Sequence, residues 1–85
     1  MATVSFGGER FIARELNDGG WSVLDRRYEE LVGLVDENHE QSERRAAALN
    51  AVNARRRVEG GYLTREERDH LSAELQTRHT PDGRD

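Results

Sequence analysis

The residue types that could do chemistry are few. His39, His70 and His79 are the three histidines. Glu66 and His70 stand four apart, a spacing that puts both on one helical face and suits a divalent cation. No third ligand follows with matching spacing, so no metal site is expected. Ser5, Ser22, Ser42 and Ser72 offer hydroxyls, but none sits in a glycine elbow or beside a histidine in a nucleophile motif. Cysteine is absent, which removes thiolate ligands, disulfides and a cysteine nucleophile. Gly7-Gly8, Gly19-Gly20 and Gly60-Gly61 read as turns and caps, because none leads into the Gly-Lys-Ser/Thr of a phosphate loop. The carboxylates fall on strand edges and helix faces where water reaches them. A general acid needs burial or a like-charged neighbour. The expectation is a non-enzymatic protein with no catalytic residue and no cofactor.

Charge chemistry is better represented. All thirteen positive charges are arginine, against seventeen acids, for a net charge of −4. Codon usage in a high-GC genome accounts for such a bias. So does an interaction surface, since arginine forks grip carboxylates and phosphates bidentately where lysine cannot. Arg44, Arg45, Arg55, Arg56 and Arg57 form the strongest basic feature and are the candidate nucleic-acid-binding residues. Compensation of a helix C-terminus together with solubility is the favoured explanation of these arginines, ahead of a binding patch. The negative total argues against a sequence-blind nucleic-acid coat. Candidates for protein contact are Tyr28, flanked by Arg26 and Arg27 at a hairpin tip, and Leu71 with Leu75 on a helix of otherwise poor apolar stripe.

The elements that must position these groups follow from pattern. Residues 3–6 alternate polar and apolar and predict a short strand, and 10–16 predict a second. Asn17-Asp18-Gly19-Gly20 is the clearest turn signal, with Asp-Gly suited to a two-residue type I′ hairpin. Residues 21–25 and 31–35 predict two more strands joined by a polar turn. The face bearing Trp21 and Val23 is expected to be buried. Asn38 with Gln41 caps a helix over 39–58, whose inward stripe is Ala46, Leu49 and Val52 and whose stop is Gly60-Gly61. Thr64-x-x-Glu67 is a capping box opening a looser helix over 65–77. Residues 79–85 predict a disordered tail.

The fold class is therefore α+β: a three- or four-stranded antiparallel β-meander packed by one amphipathic helix, with a looser C-terminal helix, all in a single domain over 1–78. Eighty-five residues, 34% hydrophobic against 35% charged, make a thin core. Self-association as a homodimer, or a protein partner that covers apolar surface, is expected to make up the difference. Met1-Ala2-Thr3-Val4-Ser5 lacks the regions of a signal peptide, and no apolar run spans a bilayer. A cytoplasmic location without membrane contact is expected.

The strand-turn-strand-helix order of Trp21-Ser22-Val23-Leu24-Asp25, Leu31-Val32-Gly33-Leu34-Val35 and Ala46-Ala47-Ala48-Leu49-Asn50 resembles small proteins of actinobacteria and their phages. The resemblance implies a compact α+β module that binds a host or phage component, and it carries over no catalytic residue. The same order is similar to the sheet-reading DNA-binding domains of phage integrases. Tyr62-Leu63-Thr64-Arg65-Glu66-Glu67 is similar to the opening of excisionase-type helix-turn-helix proteins. The leading expectation is a protein-interaction module, and the alternative is a small nucleic-acid-binding regulator.

Overall fold

Turn chemistry sets the registers of the sheet. The computed structural model describes residues 9–78, so the strand expected over 3–6 and the tail over 79–85 lie outside the described residues. Strands β1 (Phe11–Glu15), β2 (Trp21–Asp25) and β3 (Glu30–Asp36) form an antiparallel sheet in the order β1-β2-β3. The first hairpin departs from the expected two-residue turn. Leu16 and Gly20 close a loop of Asn17, Asp18 and Gly19 through Leu16 N–H to Gly20 C=O at 2.7 Å. Only Gly19 in that loop has positive φ, at 92°, whereas a type I′ turn needs two such residues. The extra residue matches the three-residue loop whose last position is left-handed.

The second hairpin is made by Asp25. Its C=O accepts the Glu29 N–H at 2.7 Å and its carboxylate accepts the Arg27 N–H at 2.9 Å. Such side-chain turns are the habit of aspartate. Glu29 takes the left-handed conformation, φ 56°, that closes the loop.

The helices are α1 (His39–Val58) and α2 (Arg65–Arg78). Asn38 caps α1 by accepting the Gln41 N–H at 2.9 Å, while the Gln41 side-chain oxygen accepts the Glu37 N–H at 3.1 Å. Gly60, φ 95°, ends it in a Schellman motif, with Gly61 N–H to Arg56 C=O and Gly60 N–H to Arg57 C=O. The Thr64–Glu67 box forms in both directions.

Helix α1 lies across the sheet, chiefly on β1 and β2, while α2 touches β3 and α1. Phe11, Val23, Val32, Ala46, Leu49 and Leu63 make the apolar core, with Val52, Leu71 and Leu75 packed around it. Trp21 is only half-buried and stacks on His39, at 4.2 Å, at the start of α1. Leu31, Leu34 and Val35 of β3 stay exposed.

The outer strands are closed by side-chain amides. Asn50 of α1 pairs with the backbone of Phe11, accepting its N–H and donating to its C=O, both at 2.9 Å. Gln76 of α2 does the same at Leu34, at 3.1 and 2.8 Å. Each amide occupies backbone groups at an edge that no other described strand pairs, where open backbone would invite aggregation. Gly33 is the hinge of the second contact. Its φ is 74°, and a Cβ there would stand 2.7 Å from Ser72 Oγ, 2.8 Å from Gln76 Oε1 and 2.9 Å from Arg45 Nη1. Gly33→Ala combines a left-handed strain of about 1–3 kcal/mol with these clashes. It should lower the urea midpoint and accelerate hydrogen exchange at the Leu34 amide. Unchanged exchange at Leu34 would show that α2 is not seated through Gly33.

Candidate functional site

Burial inverts the expectation for the carboxylates. Two of them, Asp25 and Asp36, are withdrawn from water and bound by arginine. Asp25 is fully buried and sits between Arg10, whose Nε and Nη2 reach it bidentately at 2.9 Å, and Arg68, at 2.8 Å. Arg10 spends its remaining reach on Asn53 Oδ1 and Leu63 C=O. Arg68 also meets Glu30 and Asp69. Asp36 is paired with Arg45 at 2.8 Å and accepts the Ser42 hydroxyl. Arg45 extends onward to Val32 C=O and Ser72 Oγ, at 2.6 and 2.7 Å.

Burial on its own would raise the Asp25 carboxyl. Hydrogen bonds from Arg10 and Arg68, with their charge, outweigh it and hold Asp25 below its usual range. The same contest at Asp36 ends the same way, through Arg45 and Ser42. Carboxylates held ionised in this manner are poor proton donors at neutral pH. The arginines join β-strand to helix, and that is what anchors α2. Leu71 and Leu75 are only part of its hold, because its own Arg68 and Ser72 are buried as well.

The sequence carried a signal for this. Asp25 falls on the strand face shared with Val23, so an inward-pointing carboxylate was legible, while its partners at positions 10 and 68 have no local pattern. Arg45 adjoins the stripe of Ala46 and Leu49 and is the largest residue fully buried.

The five helix arginines do not form a single patch. Arg45 is internal and is therefore removed from the candidate nucleic-acid contacts, its guanidinium being committed to Asp36 and to β3 carbonyls. Arg44 pairs with Glu40 and Arg56 with Glu67. Among the described residues only Arg55 and Arg57 of the five lack a carboxylate partner.

Tyr28 is brought among guanidinium groups. Arg10, Arg27, Arg65 and Arg68 lie 5.4 to 6.0 Å from its ring centroid. Arg27 lies over the Tyr62 ring at 3.8 Å. Arg26 and Arg27 open onto a cleft shared with Arg57 and Tyr62. Leu71 lines a different recess between the helices, with Val52 and His70, so the contact residues expected from sequence divide between two places.

His39 pairs with Glu43 at 3.1 Å beside Trp21. His79 lies outside the described residues. Among the described residues no three histidine, cysteine or acidic groups gather as a metal ligand set. No described helix is long and apolar enough to cross a membrane.

An apolar surface was not foreseen. Ile12 pairs across the sheet with Leu24, and Leu24 with Leu31, in one continuous row. Their neighbours Phe11, Val23 and Val32 join the core with α1, so this row points to the other face of the sheet. At its β3 end Leu31 borders α2, lining a groove with Arg65, Arg68 and Ala73. Leu31 is 46% exposed and Val35 60%. Comparison with protein-family models, with curated proteins and with solved structures gave no match.

Proposed function

We propose that the protein is a non-enzymatic interaction module that docks through the open face of its sheet. The observation that supports this reading is the Ile12-Leu24-Leu31 row, whose β3 end, Leu31, is exposed. Contiguous apolar surface of this kind marks interaction sites in soluble proteins. The occupant favoured first is a second copy of the protein, because an apolar row needs no charge matching and suits a two-fold contact of like with like. A phage-encoded adaptor acting on a host or phage component would use the same face. Sequence resemblance alone supports that origin.

The test is molar mass by light scattering on a sizing column, at low and high salt. A dimer unaffected by salt is expected, and Leu31→Asp should convert it to a folded monomer. Leu31 is exposed, so the substitution leaves the core intact. A wild-type monomer at every concentration would overturn the self-association. A dimer that survives Leu31→Asp would place the contact elsewhere. The nucleic-acid reading has weaker support, since among the described arginines of α1 only Arg55 and Arg57 lack an acidic partner.

A further inference from the structure

A cleft of about 510 Å³ opens where the β2–β3 turn meets the end of α1. Arg10, Arg26, Arg27 and Arg57 line it with Asn53 and Tyr62, against a single carboxylate, that of Glu9. Their charges are not equally committed. Arg10 is neutralised by Asp25. Arg26 donates to the backbone carbonyl of Glu9 at 3.3 Å. Arg27 and Arg57 have no carboxylate within ion-pair distance among the described residues. Elsewhere in this acidic protein, Arg10, Arg44, Arg45, Arg56, Arg65 and Arg68 are each matched to an acid. Arg14 and Arg55 also lack one among the described residues, but neither lines this cleft.

Arg27 is also held in place. Its guanidinium lies over the Tyr62 ring at 3.8 Å, a contact that orients the fork through its face. A fork so ordered loses less side-chain entropy on binding. Two uncompensated guanidiniums match a dianion with tetrahedral oxygens, to which arginine donates bidentately.

We propose that this cleft binds a phosphate monoester, with Arg27 and Arg57 as the charge partners and Tyr62 as the support that orients Arg27. Glu9 and the carbonyl end of α1 oppose the anion, so the affinity for the phosphate group alone falls in the range of about a millimolar.

The experiment is an amide-resolved NMR titration of the full-length protein with inorganic phosphate and then phenyl phosphate, at constant ionic strength set with chloride. Saturating shifts at Arg26, Arg27, Arg57, Gly61 and Tyr62 are expected. Arg27→Gln and Arg57→Gln, both at solvent-exposed positions, should each weaken binding about tenfold, and Arg55→Gln should leave it unchanged. Tighter binding of phenyl phosphate would assign an organic ester, and equal binding the phosphate group alone. Shifts that never saturate, that centre on Arg14 or Arg55, or that persist in both cleft variants would overturn the proposal.

Discussion

Asp25→Asn should strip the protein of most of its stability. The substitution keeps the shape of the side group and removes its charge, so no cavity confuses the result. Two buried guanidiniums, Arg10 and Arg68, then face each other across a neutral amide. Breaking a buried pair by removing one partner costs about 3–5 kcal/mol. Total stability for a domain of this size sits near the low end of about 5–15 kcal/mol. The turn is not at issue, since an asparagine oxygen can still accept the Arg27 N–H that Asp25 accepts now.

The comparison that decides the mechanism is Arg68→Met. It removes a partner from the same carboxylate but leaves Asp25 held bidentately by Arg10. Its cost should be about 1.5–3 kcal/mol, the value of hydrogen bonds to a charged group. Equal losses would mean that packing rather than charge sets the cost. Urea unfolding followed by the fluorescence of Trp21, the single tryptophan, measures both.

The pH dependence has a definite sign. Asp25 is lowered from an unfolded value near 3.8, so its contribution is fully present above that value and is lost as pH falls through the folded value beneath it. Wild-type stability should hold steady down to about pH 5 and fall steeply below about pH 4. Asp25→Asn should show a shallower acid slope. An unchanged slope would assign the acid transition to other carboxylates.

The local elements were legible because their signals are local. Asn38 with Gln41, Thr64 with Glu67 and Gly60-Gly61 fix helix ends through neighbours a few residues away, and all three motifs form. The strands over 21–25 and 31–35 follow from alternation bounded by turns. What joins the elements was not legible. Arg10 meets Asn53 and Leu63 across separations of 43 and 53 residues, and Gln76 meets Leu34 across 42. Beyond the place of Arg45 beside the apolar stripe of α1, no pattern marks an arginine that will be buried, and a 35% charged composition reads as surface. Among the described residues eight polar or charged ones are buried beside six apolar ones. The thin apolar core is therefore completed by ion pairs, and hydrophobic pattern alone underestimates the interior.

At β3 composition and burial diverge the other way. Leu31, Val32, Gly33, Leu34 and Val35 look like an internal strand, yet only Val32 enters the core. Gly33 breaks the alternation with its positive φ, and the edge position of β3 sets its backbone at Leu34 against Gln76 of α2. Leu31, before the irregularity, faces outward by ordinary alternation with Val32, and it is the β3 member of the proposed docking row.

Arg45→Met should be the second most damaging substitution, at about 3–5 kcal/mol. Arg45 supplies the charge that Asp36 needs and the donors that Val32 C=O, Leu34 C=O and Ser72 accept. Methionine fills the space and supplies neither. Asp36 keeps Ser42 and Gln76, which are neutral partners. Adding Asp36→Asn to Arg45→Met removes the stranded carboxylate, so the double variant should be more stable than Arg45→Met alone. The coupling energy between the two positions should fall within about 0.5–3 kcal/mol. Strict additivity would show that the pair does not interact energetically. The result bears on function as well. Loss of nucleic-acid binding in an Arg45 variant would report a damaged fold, because this guanidinium has no access to solvent. Arg55→Gln with Arg57→Gln, at surface positions without an acidic partner, separates contact from stability. Retained thermal midpoint with lost binding in that pair is the only pattern that assigns α1 a role in holding nucleic acid.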